Sequence, residues 1–200
     1  LKEKDDKKDF AGNDSVPQQS FQNYVLSNSN LNNPDNQPAA GKPIADLFEN
    51  CTVLFADISG FTAWSSNREP TQVFTLLESL YGAFDKIAKK RHVFKVETIG
   101  DCYLAVTGLP EPQKDHAVIM CIFAHECMKK MKMIMSTELR GVLADATELS
   151  MRFGLHSGPV TGGVLRGEKS RFQLFGDTVN TAFRKWKAIP SSIDRIHSLQ

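Results

Sequence analysis

No run of apolar residues in this chain approaches the roughly 20 that a membrane-spanning helix needs. The first residues also lack the basic-then-apolar order of a secretory signal. An excess of charge of either sign is missing, with Lys+Arg 24 against Asp+Glu 23 and a formal net charge of +1. The basic residues are scattered rather than striped, so neither a nucleic acid nor an anionic membrane surface is an expected partner. Cysteine is scarce, and the four present (Cys51, Cys102, Cys121, Cys127) sit inside apolar runs. Cys121 and Cys127 have no histidine at zinc-ligand spacing, so reduced, packed thiols of an intracellular protein are expected.

What is present divides into two materials. Residues 1–42 combine a mixed charge run, Lys2–Asp9, with a stretch dominated by Asn, Gln, Ser, Pro and Asp. Such a composition buries too little apolar surface to offset its ordering entropy, and reads as a disordered linker or tail. Residues 43–200 carry globular patterning of one domain's length. A chain that starts at Leu1 is expected to be a piece of something longer, which places any membrane span outside it.

Within 43–200 the apolar period switches in a regular order. Cys51–Ala56 predicts a buried strand, and Pro70 opens a helix with Val73, Leu77, Leu80, Phe84 and Ile87 on one face. His92–Thr98 and Cys102–Thr107 predict a hairpin turning at Gly100-Asp101. Asp115 caps a second helix with Ala117, Cys121, Ala124, Met128, Met131 and Met135 at helical spacing, a stripe that reads as core packing. Met151–His156 and Pro159–Leu165 predict a strand pair about Ser157-Gly158, followed by a strand at Arg171–Phe175 and a helix at Gly176–Ala188. The order is that of an α+β, ferredoxin-like split βαβ domain, with helices on one face of an antiparallel sheet.

Chemistry concentrates in three places. Asp57 lies in TVLFADISGFT and Asp101 in KVETIGDCY, each at the end of a strand-like run beside a glycine. Either aspartate alone reads equally well as a turn cap. Two at neighbouring strand ends can converge on a hard cation such as Mg²⁺, which takes one or two protein carboxylates and completes its shell with water and phosphate. The third place is FQLFGDTVNTAFR, where Asn180 and Arg184 stand four apart on one helix face. Alone they read as an ordinary surface pair, and alternatively as a polar amide beside a phosphate-binding guanidinium.

FADISGFT at 55–62, VETIGDCY at 96–103, GLP at 108–110, MRFGLHSGPV at 151–160 and LFGDTVNTA at 174–182 together resemble the class III nucleotidyl cyclases. The resemblance spans roughly Phe48 to Ala188 and implies a head-to-tail homodimer with active sites in the interface clefts. It implies that Asp57, Asp101 and the Ile58 carbonyl hold two divalent cations, Mg²⁺ or Mn²⁺. Gly60, Phe61 and Thr62 would offer backbone N–H groups to phosphate, and Arg152 would bind the triphosphate. A second chain would supply Asn180 to the ribose and Arg184 to the α-phosphate. The implied reaction turns GTP or ATP into the 3′,5′-cyclic nucleotide and pyrophosphate, in a cytoplasmic domain of a larger protein.

The resemblance implies that base choice rests on two positions of the partner subunit, here Glu97 and Gln173. A carboxylate accepts from guanine N1–H and the 2-amino group, whereas it repels the acceptor N1 of adenine. Gln173 departs from both the guanylyl and adenylyl patterns, since its amide serves guanine O6 or, flipped, adenine N6. GTP is the expected substrate, with ATP the alternative. Phe183 departs too, standing where the family has a small residue. The resemblance also implies a triphosphate lysine in strands beyond the last helix. Lys185, Lys187 and Arg195 fall at the wrong place in the order, so either the chain stops short of those strands, exposing a sheet edge, or the lysine is absent. Two rivals remain, a catalytically silent regulatory homologue and a palm-type polymerase. The retained Asp57, Asp101, Asn180 and Arg184 argue against the first, and the missing basic template channel against the second.

Overall fold

The computed structural model describes residues 44–137, 149–165, 171–189 and 195–197; the tail assigned to 1–42 lies outside the described residues. Six strands form one sheet: β1 Ile44–Ser59, β2 Phe94–Ile99, β3 Cys102–Thr107, β4 Ser150–Leu165, β5 Arg171–Phe175 and β6 Arg195–His197. The helices are α1 Phe61–Ser65, α2 Pro70–Arg91, α3 His116–Ser136 and α4 Asp177–Lys187. The strand order β2-β3-β1-β4-β5 is antiparallel throughout, with β6 parallel to β4. This is the split βαβ arrangement that the sequence pattern implies. No described helix is long and apolar enough to cross a membrane.

Two expectations fail in an instructive way. The strand pair placed about Ser157-Gly158 is a single strand, Ser150–Leu165, paired along most of β1, which itself runs well beyond Cys51–Ala56. Between Phe48↔Val160 and Cys51↔Gly158 the register shifts, so that Glu49 and Asn50 stand opposite Pro159 alone. Proline cannot donate to the ladder, and a bulge on the partner strand absorbs it without a turn. The bulge bends the β1–β4 ribbon. As a result the sheet curls until Phe94 on β2 meets Phe172 on β5, ring centroids 5.3 Å apart, although three strands separate them in pairing order.

The second failure concerns the helices, which do not share one face. Residues on one face of β1 (Leu54, Ala56, Ile58) join Leu80 and Phe84 of α2 and Phe123 and Met131 of α3 in one core cluster. The alternating residues Val53 and Phe55 join Leu104, Val160 and Ala182 of α4 in a second. The sheet is thus covered on both sides, consistent with its near-continuous apolar central strands. The buried stripes are also rotated from those expected. α2 buries Leu76 and Ala83, with Val73 and Leu77 only partly covered, and α3 buries Met120, Phe123 and Cys127 in place of Ala117, Cys121 and Met128. Asp115 does sit at the α3 N-cap, but its side chain makes no capping hydrogen bond. A short strand beyond the last helix, β6, pairs with β4 along Arg152–Gly154.

The thiols behave as expected: no described cysteine is bonded to another, and burial pushes Cys51 up to about 12. His116 Nδ1 lies 2.7 Å from Thr52 Oγ1, which also meets Ser157 Oγ at 2.8 Å, tying α3 to the β1–β4 ribbon. His156, by contrast, lies 3.1 Å from Lys185 Nζ, between β4 and α4.

Candidate active site

The central strands β1 and β3 pair Asp57 with Cys102, which sets Asp101 one residue from Asp57's register partner. Asp57 is 4% exposed, and the Asp101 carboxyl is its electrostatic neighbour. Burial first, and then the neighbouring Asp57 carboxylate, push Asp101 up to about 7, against the pull of Arg152. The same pair helps push Cys102 up to about 12, where burial is again the main cause, and adds to the burial that raises Tyr81. With two carboxyl groups side by side and Arg152 the one cation acting on Asp101, the site is short of positive charge. A pair of carboxylates fits Mg²⁺ or Mn²⁺, which complete their shells with water or phosphate. Among the described residues no third His, Cys, Asp or Glu side chain joins them, so further donors are left to backbone, solvent or substrate. Ile58 buries its side chain in the core and can offer only its backbone.

The proton on Asp101 has a measurable consequence. Between the ordinary carboxylate value near 4 and about 7, the folded state binds more protons than the unfolded state. Stability from this pair is therefore lost as pH rises through that window. In EDTA, the urea midpoint of the wild type is expected to fall between pH 5 and pH 7.5, and Asp101→Asn, neutral and isosteric, to remove most of that fall. An unchanged pH slope in the variant would contradict the assignment.

Arg152, opposite Asp57 on β4, donates from Nη2 to Asp57 Oδ2 and lies within 3.5 Å of the Ile189 carbonyl. Its guanidinium stands 5.5 Å from the centre of the Trp186 ring. Gly60, at φ +83°, turns the chain from β1 into α1, bringing Phe61 and Thr62 to the start of that short helix. The hairpin bearing Asp101 is buttressed from α2, where Tyr81 donates to the Gly100 carbonyl at 3.1 Å.

α4 presents Asn180 and Arg184 to solvent. Arg184 Nη2 donates to Thr181 Oγ1 at 2.7 Å and to Asp177 Oδ1 at 3.3 Å, and its side chain is 65% exposed. No described hydrogen bond or ion pair joins either residue to Asp57 or Asp101 of the same chain. Glu97, opposite Leu104 on β2, and Gln173, opposite Gly163 on β5, are likewise not hydrogen-bonded to each other; their strands meet through Phe94 and Phe172. Phe183, placed by its sequence beside Arg184, packs edge-on against Phe55 at 5.5 Å and beside Trp186 at 5.1 Å. Sequence reasoning missed Tyr81 and Trp186, because their contacts are made across the fold and no local spacing announces them.

A split βαβ sheet whose central strands bring two carboxylates and an arginine together has the architecture of the class III nucleotidyl cyclases. The chain belongs to that family: the model for the adenylate and guanylate cyclase catalytic domain matches residues 44–193. It is 42% identical over 146 residues to the receptor-type guanylate cyclase gcy-28 of Caenorhabditis elegans, covering 72% of this chain and 11% of that protein. It is 43% identical over 141 residues to the human atrial natriuretic peptide receptor 2, covering 70% of this chain and 13% of the receptor. Among solved structures, the guanylate cyclase domain of RhGC from Catenaria anguillulae in complex with GTP is 40% identical, with a TM-score of 0.61 over 72% of this chain and 75% of that one.

Proposed function

We propose that residues 43–200 form a catalytic unit that converts GTP to 3′,5′-cyclic GMP and pyrophosphate when two copies associate head to tail, with 1–42 as linker. The observation that carries this reading is the division of the site. Asp57, Asp101 and Arg152 meet within one chain, while Asn180 and Arg184 are exposed on α4, with no described hydrogen bond or ion pair to the carboxylates of their own chain's Asp57 and Asp101. Similarity to a guanylate cyclase domain solved with GTP supports it.

Asp57, Asp101 and the Ile58 carbonyl would hold two Mg²⁺ or Mn²⁺ ions, which when bound supply activation of the ribose 3′-hydroxyl and charge neutralisation on the triphosphate. Arg152 presents a two-pronged donor to phosphate oxygens at the same place. The N–H groups of Gly60, Phe61 and Thr62 add neutral donors where the chain turns from strand to helix. Asn180 of the second chain orients the ribose, and Arg184 of the second chain offsets the negative charge that grows on the α-phosphate. Catalysis is then positioning and electrostatics, as for phosphoryl transfer generally. Glu97 accepts from guanine N1–H and the 2-amino group, and the Gln173 amide donates to O6.

ATP is the second reading, favoured by Gln173, whose flipped amide accepts from adenine N6. Turnover of GTP and ATP side by side with Mn²⁺, read as cyclic product by chromatography, decides between them. Cyclic GMP in excess is the expected result. Cyclic AMP in excess would mean that Gln173 outweighs Glu97, and no product from either would leave a silent regulatory domain.

A further inference from the structure

Trp186 has no part in the chemistry above, yet it is built into the site. Three groups hold the Arg152 guanidinium: the Asp57 carboxylate on β1, the Ile189 carbonyl and the face of the Trp186 indole. Two of the three come from α4 and the residues directly after it. The ring itself is held on several sides. Phe55 stacks on it at 6.2 Å with 24° between planes, and Phe183 lies at 5.1 Å. At position 154 a Cβ atom would come within 2.4 Å of both Cβ and backbone N of Trp186, so only glycine there admits the helix this close. Arg152 meets the ring face and not the indole N–H, since both groups are donors; Trp186 Nε1 and Arg152 Nε are buried without a hydrogen-bond partner among the described residues.

A long arginine side chain on a strand has several rotors and, left free, spreads over many orientations. A cation over an aromatic face is held in one plane, and a guanidinium fork binds phosphate well only when its plane is set. We propose that Trp186 is a positioning residue that fixes Arg152 at the Asp57–Asp101 pair for receipt of the triphosphate. Through the rigid helix α4, it links the arginine of one site to the Asn180 and Arg184 that the same chain presents to the other. The proposal rests on the cyclase reading of the site.

Magnesium pyrophosphate, titrated by calorimetry into the full chain, tests the positioning directly, with GTP kinetics beside it. Trp186→Leu is expected to weaken pyrophosphate binding and raise the KM for GTP roughly 5- to 20-fold, with kcat changed much less. Trp186→Phe, which keeps a ring face, should stay within about threefold of wild type. In an Arg152→Gln background the Leu substitution should add nothing, since it acts through that arginine. A folded Leu variant with unchanged binding, an equal effect in both backgrounds, or a Phe variant as impaired as Leu would each overturn the proposal.

If the Leu variant does not fold, Trp64→Phe leaves Trp186 as the remaining tryptophan of two. Its emission should then shift on adding magnesium pyrophosphate, and Arg152→Gln should abolish the shift. Emission that does not move, or that moves equally without Arg152, also overturns the proposal. A wild type that binds pyrophosphate but cyclises neither nucleotide would defeat the cyclase reading while the binding comparison still decides on Trp186. A wild type that cyclises GTP but does not bind pyrophosphate would overturn the proposal and leave the cyclase reading standing.

Discussion

Asp57→Ala and Arg184→Ala chains, assayed separately, are each expected to lose a thousandfold or more in turnover, on the order of what removing a transition-state arginine costs. Mixed in equal amounts, they should recover about a quarter of wild-type activity. The reasoning is geometric. Arg184 is exposed and tied to its own helix through Asp177 and Thr181, with no described contact to its own Asp57. On the proposed two-chain reading, a site that needs both residues takes them from different chains. Random pairing makes half of the dimers mixed, and each mixed dimer assembles one intact site of two. Recovery is read as cyclic product after mixing and dilution, with each variant alone as control. If the mixture stays as inactive as its components while both variants are folded, the two-chain site is wrong.

Gly154→Ala should be nearly as damaging although it touches no substrate. Its Cβ would lie 2.4 Å from the Trp186 backbone N and 2.6 Å from the Ala182 carbonyl, both on the α4 backbone, which cannot swing aside as a side chain would. The helix must lift. Overpacking of this kind costs about 1–3 kcal/mol, which shows as a lowered thermal midpoint. The lift also carries Asn180, Arg184 and Trp186 with it, and a misplacement of about 1 Å can cost on the order of a hundredfold in rate. Turnover by folded protein is therefore expected to fall about a hundredfold, beyond what the unfolded fraction explains. A variant with a lower midpoint but wild-type turnover would show that α4 does not need this seat for catalysis.

Much of the fold was legible because it rests on local patterns. The 3.6-residue period with Pro70 at its start marked α2, the turn at Gly100-Asp101 marked the hairpin, and Arg171–Phe175 was placed residue for residue. The break read at Ser157-Gly158 was a misreading with a physical cause. Pro159 does interrupt the ladder, but whether the chain turns or the partner strand bulges depends on β1, roughly a hundred residues earlier in sequence. The same holds for the helices. Periodicity states which stripe of a helix is apolar, but it does not say which face of the sheet that stripe will cover, and α4 went to the face opposite α2 and α3.

For the site, the sequence by itself determined the chemical groups: two acidic strand ends, an Arg within a strand-like run and an Asn/Arg pair at helical spacing. Only the tertiary structure decided which of them meet. It brought Asp57, Asp101 and Arg152 together, left Asn180 and Arg184 exposed on α4 without a described hydrogen bond or ion pair to them, and set Trp186 and Tyr81 as supports. The physical reason is that a motif records which side chains stand near one another along the chain. The charge, burial and stacking that tune those groups come from strands and helices distant in sequence, brought together when the two faces of the sheet are covered.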